Sequence, residues 1–115
     1  MVVGRASEDE VDRLFHALAD ATRRDIVARV LVAEYSVSGL AEQYDMSFAA
    51  VQKHVAVLER ASLVSKEKRG REQIVRGQVD GVQRARRLLD DYERIWRQRV
   101  DQIADILAED AEDED

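Results

Sequence analysis

The sequence predicts a mainly α fold carrying one small β-hairpin. Three observations lead there: apolar residues recur at helical spacing along most of the 115 residues, proline is absent, and one segment after Leu63 abandons the helical period for β-branched residues beside a glycine. A chain of 115 residues, 45% apolar and 37% charged, suits one soluble domain. We place a flexible N-terminus at residues 1–8, the domain at 9–108 and an acidic disordered tail at 109–115.

The elements follow in order. Val11, Leu14, Phe15 and Leu18 repeat at i, i+3, i+4, i+7, the stripe of an amphipathic helix, with Ser7 as a candidate N-cap and carboxylates in the first turn. A second helix follows the residues ADAT and turns Ile26, Val27, Val30 and Leu31 inward. Ser36 then caps a short helix with Leu40, Ala41 and Tyr44 at buried positions, and Ser47 caps a longer one after a break at Asp45 and Met46. On the longer helix Val51, Val55 and Leu58 fall within about 60° of one another, at about 100° per residue, and form its core face. Two helices joined by a short turn, the second separately capped, have the shape of a helix-turn-helix.

The stretches LVSKEKR and EQIVRGQV flank Gly70 and predict a two-stranded hairpin turning at residues 69–71. From about Val82 to Ala108 the pattern is one helix of roughly 27 residues, about 40 Å long. Leu89, Tyr92, Trp96, Val100, Ile103 and Leu107 recur along it at helical spacing. So long a stripe exceeds what a small domain covers by itself, and we assign it, with Leu14, to a twofold interface between two copies. Tyr92 and Trp96 also suit the wall of a ligand pocket.

Composition excludes several classes of chemistry. There is no cysteine, which removes disulfides, thiolate metal sites and thiol nucleophiles. With only two histidines and no ligand spacing, neither a metal nor another cofactor is expected. No phosphate-binding glycine loop, nucleophile triad or poised carboxylate pair occurs, so an enzyme is not expected. The absence of a long apolar run and of a signal-peptide core predicts a cytoplasmic protein without a membrane partner. The net charge is -6, but the tail EDAEDED holds six of the carboxylates, and without them the charge is zero.

Against that background residues 46–73 stand out. Lys53, Arg60, Lys66, Lys68, Arg69 and Arg71 against Glu59, Glu67 and Glu72 give the segment a charge of +3, opposite in sign to the whole. Opposite its core face the Ser47 helix presents Ala49, Gln52, Lys53, Ala56 and Arg60. Small residues there allow close approach to a groove floor, glutamine pairs with adenine, and the cations reach guanine or phosphate. A solvated helix face with two cations would read the same way. Phe48 flanks this face, placed either to touch a thymine methyl or to pack on the neighbouring helix. His54, at its border, is a candidate phosphate or base contact, and His16 a packed or surface residue. On the hairpin Lys66, Lys68, Arg69, Arg71 and Arg76 suit a wing along the phosphate backbone, with Arg69 or Arg71 entering a narrow minor groove. Cations that protect exposed edge strands are the alternative.

In order, LFHALADATRRDIVARV, SVSGLAEQYDMSFAAVQKHVAVLERASLV and KRGREQIVRGQV resemble successive signatures of the ArsR/SmtB-type winged helix-turn-helix repressors, over roughly residues 9–107. The resemblance implies a recognition segment of Ser47, Phe48, Ala49, Gln52, Lys53 and His54, a wing tip at residues 69–72, and a symmetric dimer built by the terminal helices. It also implies a member without metal sensing: the cysteine pair that some relatives carry near GLAEQ is missing, and no histidine follows His54. Several such members carry a tryptophan in the final helix, as Trp96 here. Ala21 and Ser62 stand where proline and glycine are common in the family.

The expectation is therefore a homodimeric repressor that binds a pseudo-palindromic site in double-stranded DNA, with no effector identified by its residues. Two other classes fit parts of the pattern: a dimeric adaptor that binds a basic partner through its last helix and acidic tail, and a nucleoid-type architectural protein.

Overall fold

Hydroxyl and carboxylate side chains open three of the helices. Asp20 accepts from the Arg23 amide, Ser36 from Gly39 and Ser47 from Ala50, each satisfying a donor that the first turn leaves unpaired. The computed structural model describes residues 2–113, with side-chain surroundings over 8–112. Its elements are α1 (Val2–Leu18), α2 (Ala21–Val30), β1 (Tyr35–Ser36), α3 (Val37–Ala41), α4 (Phe48–Arg60), β2 (Val64–Arg69), β3 (Glu72–Gly77) and α5 (Val79–Asp113). The chain divides into two compact units, one ending at Ala85 and one starting at Arg86.

Both caps expected at Ser36 and Ser47 are present, and the hairpin turns where Gly70 predicts. Gly70 has φ +64 and the register pairs Arg69 with Glu72, so Gly70 and Arg71 form a two-residue turn that needs the left-handed region at its first position. The sheet has three strands rather than two, in the order β1-β3-β2. Tyr35 and Ser36 pair with Val75 and Ile74, and two residues are too few to show a strand's alternation in sequence.

The helix ends also differ from expectation. Helix α1 begins at Val2, across the segment expected to be flexible, with Ser7 inside it rather than capping it; Met1 lies outside the described residues. At the other end α5 starts at Val79 and continues to Asp113, through most of the stretch expected as a disordered tail; residues 114–115 lie outside the described residues. Neither glycine nor proline stands in 82–113 to stop it.

In the first unit the core gathers Leu14, Ile26, Leu40, Val51, Val55, Leu58, Leu63 and Val75, all fully buried. Val51, Val55 and Leu58 are the inner face expected of α4. Leu14 belongs here and not to an interface, because a side chain with 2% of its surface exposed has almost nothing to offer a second copy. Leu31 lies past the end of α2, 48% exposed, instead of on its inner face.

The end of α4 directs the chain into the sheet. The Leu63 amide donates to the Leu58 carbonyl and the Ser62 amide to that of Glu59, the paired closure of a Schellman motif, with Leu58 and Leu63 buried together. This closure puts Ser62 at φ 59, where glycine is the usual residue. The Ser62 carbonyl then accepts from the Gly81 amide at 3.1 Å, bringing the backbones so close that a Cβ at Gly81 would lie 2.8 Å from that oxygen. Ser62→Gly should therefore raise unfolding stability by about 0.5–1 kcal/mol, the relief of left-handed strain less glycine's greater chain entropy. Gly81→Ala should lower it by roughly 1–3 kcal/mol. Urea denaturation of the two variants measures both, and equal midpoints would contradict this account of the helix end.

Candidate nucleic-acid interface

Ser47 sets α4 at the surface with its N-terminal amides, the positive end of the helix dipole, directed outward from the cap. Phe48 is 46% exposed, so part of its ring is open to solvent, and Ala49, Gln52 and Lys53 are exposed beside it. Ala56 is half-buried. These side chains face away from Val51, Val55 and Leu58 because burial of the inner face leaves the helix no other rotation.

The turn before α4 is held by a polar cluster. The Tyr44 hydroxyl donates to Asp25 Oδ2 at 2.5 Å, Arg29 Nε donates to the same oxygen at 2.8 Å, and Arg29 reaches Gln43 Oε1 while its guanidinium lies over the Tyr44 ring. Together they tie α2 to the residues that enter α4. The Tyr44 hydrogen bond, followed by that of Arg29, holds the Asp25 carboxyl below its ordinary range, while burial and Asp25 push the Tyr44 phenol up to about 12.

His54 is half-buried and joined to Arg23, a residue the sequence did not single out. Arg23 donates from Nε to the Ala17 carbonyl at 2.8 Å and from Nη2 to that of His16 at 2.9 Å, and its Nη1 lies 3.2 Å from His54 Nδ1. A guanidinium only donates, so Nδ1 accepts and the ring proton sits on Nε2, free to donate elsewhere. A cation just after the end of α1, placed where carbonyls lack partners, was the available signal. His16 is exposed.

The hairpin has two faces of different chemistry. Cross-strand pairing puts Val64, Lys66 and Lys68 on one side with Val75 and Gln73, and Ser65, Glu67 and Arg69 on the other with Arg76, Ile74 and Glu72. On the first side Lys66 and Gln73 share a recess of about 110 Å³ with Gln52 and Val55 of α4 and with Val37. Lys66 also lies 3.6 Å from Glu59. Gln73 is thus continuous with the α4 face, a position that strand alternation counted back from the turn would have found. On the second side Arg69 and Arg76 are paired with Glu34 and Glu67. Lys53, Lys68 and Arg71 make no ion pair among the described residues.

Arg60, exposed on the same outer face of α4, ends the helix beside Glu10, Arg13, Ser62 and Arg84, about 18 Å along the axis from Phe48 at 1.5 Å per residue.

In the second unit Leu89, Tyr92, Trp96, Val100, Ile103 and Leu107 form the expected apolar stripe of α5, each 42–65% exposed. Ile95 and Ile106 add to the exposed apolar surface. Glu93, Trp96, Arg97, Val100 and Asp101 line a shallow groove on this helix. Among the described residues no three potential ligands gather around a metal position, and no helix is long and apolar enough to cross a membrane.

A capped helix with an exposed polar face, preceded by a short helix and followed by a cationic two-stranded wing, defines a winged helix-turn-helix DNA-binding protein. No protein-family model matches the chain. It is 31% identical over 102 residues to the HTH-type transcriptional regulator Rv2034 of Mycobacterium tuberculosis, covering 89% of this chain and 92% of that one. An ArsR-like transcriptional regulator from Rhodococcus superposes with a TM-score of 0.79 at 32% identity, over 92% of this chain and 95% of its own. A homodimeric winged helix-turn-helix DNA-binding domain from Mycobacterium bovis gives 0.63 at 25% identity, over 77% and 82%. The chain belongs to the ArsR-type winged helix-turn-helix family, whose members are DNA-binding transcriptional regulators.

The Tyr44 cluster makes stability depend on pH at both extremes. Asp25 is lowered from an ordinary 3.8, so its contribution is present above about pH 4 and is lost as pH falls through the lower folded value. Tyr44 is raised from 10.0 to about 12, so its contribution is present below pH 10 and is lost as pH rises through that interval. Tyr44→Phe should lower the melting temperature at neutral pH and flatten both limbs of the thermal stability profile. Profiles of identical shape would show that the cluster does not couple the turn to α2.

Proposed function

We propose that this protein is a homodimeric repressor acting in the cytoplasm, where it occupies a pseudo-palindromic operator and blocks the promoter. The observation that carries this is the continuous strip of Ala49, Gln52 and Lys53 on α4 with Lys66, Lys68 and Gln73 on the wing, joined through one recess. Helix α4 enters the major groove, where Gln52 and Lys53 read base edges and Phe48 meets a thymine methyl. Ser47, His54 Nε2, Lys66 and Lys68 hold phosphates, and Arg71 at the turn enters the flanking minor groove. Regulation follows from occupancy of DNA rather than from catalysis, and the strip needs neither metal nor cofactor to act.

The α5 stripe supports pairing of two copies, because six large apolar side chains in a row are seldom left in water. A twofold axis then sets two copies of α4 about one helical turn, roughly 34 Å, apart on the duplex. The homodimeric state of the Mycobacterium bovis domain is consistent with this.

Three measurements test the reading. Gln52→Ala should lose about 1–3 kcal/mol on a selected operator while binding to random duplex changes little; equal losses on both would make Gln52 a backbone contact. Lys68→Gln should reduce the slope of log Kobs against log salt by about 0.9, the signature of one lost phosphate contact. Trp96→Asp should sediment as a monomer, and a dimer of unchanged stability would remove Trp96 from the interface.

A further inference from the structure

The wing carries cations on both of its faces, but only one face joins the α4 strip. On the other, four charged groups from three parts of the chain close on one another. Arg76 on β3 holds Glu34 through Nε and Glu67 through Nη2, the latter at 3.0 Å. Those two carboxylates in turn receive Arg69, with Nη1 3.6 Å from Glu34 and Nη2 3.4 Å from Glu67. Two acids and two bases sum to zero within the cluster, and Glu72 on the same side adds one further negative charge, so this side of the wing is not cationic although the segment as a whole is basic. Glu34 precedes β1 and enters the cluster only because β1 pairs with β3.

We propose that Glu34 and Glu67 stand in for DNA phosphates and hold Arg69 off the duplex, so that the wing engages DNA through Lys68 and Arg71, which make no ion pair among the described residues, and Lys66, which has the single partner Glu59 to leave. Arg69 is the residue this matters for. It directly precedes the turn, within reach of a flanking backbone if its side chain were released, whereas Arg76 pairs with Ser65 near the base of the hairpin. Each contact is weak singly because all four groups are about half-exposed. Their strength lies in number and placement: Arg76 fixes both carboxylates in advance, and a phosphate must replace two partners of Arg69 at once. The consequence is a regulator with fewer phosphate contacts than its cations suggest, and with correspondingly gentler salt dependence.

The inference rests on the wing and α4 as the DNA-binding surface, and the test separates the two. Binding of the full chain to a random-sequence duplex is followed across salt concentration for the wild type, Arg69→Gln, Glu34→Gln with Glu67→Gln, and that pair combined with Arg69→Gln. Arg69→Gln alone should leave the slope unchanged. The double carboxylate variant should steepen it by about 0.9, one additional phosphate contact, and adding Arg69→Gln should return it to the wild-type value. A lower slope in Arg69→Gln shows that Arg69 already holds a phosphate and overturns the proposal, as does an unchanged slope in the double variant. A steeper slope that survives loss of Arg69 assigns the effect to general charge and overturns it equally. If the wild type shows no salt-dependent binding, the DNA reading falls and this inference with it.

Discussion

Burial of Val51, Val55 and Leu58 is the constraint on which the rest of the structure depends. With those three side chains in the core, α4 can adopt one rotation only, and Gln52 and Lys53 are committed to the surface. The same helix ends in a closure that buries Leu58 against Leu63 and turns the chain into β2. One hydrophobic face therefore orients the candidate reading surface and also aims the wing. The left-handed backbone at Ser62 is tolerated because the packing around it over-determines the turn.

Charge is organised by face rather than by total. The chain is acidic overall, yet the strip running from α4 onto the wing is polar to cationic, while the two arginines of the opposite wing face are balanced by ion pairs. Period-two alternation produces this division: neighbouring residues on β2 project to opposite sides, so Lys66 and Lys68 part from Glu67 and Arg69. A local sum over residues 46–73 cannot show it. The basic segment of the sequence is thus two surfaces with different chemistry, one open and one closed on itself.

Much of the fold was legible in the sequence because its signals are local. Ser36 and Ser47 precede apolar periodicity, Gly70 divides two short β-rich runs, and the α4 core face repeats at helical spacing. The parts that were not legible depend on partners distant in the chain. β1 becomes a strand only by pairing with β3, and Arg23 meets His54 across 31 residues. Leu14 lies on a stripe that looks the same whether it faces a core or a second copy, and only its burial decides between them. Arg60 shares a helix face with Gln52 on a wheel, but a wheel carries no information about position along the axis.

By itself the sequence determined the order of helices and hairpin, the capped entry to α4 and the absence of thiol chemistry, since these follow from residue type and spacing within a few positions. Only the tertiary structure decided which cations stand free. Arg69 and Lys68 are neighbours of like charge in the sequence, and what separates them is Glu34, brought to the wing by the pairing of β1 with β3. Electrostatic pairing acts over a few ångströms in space, a distance the linear chain does not record.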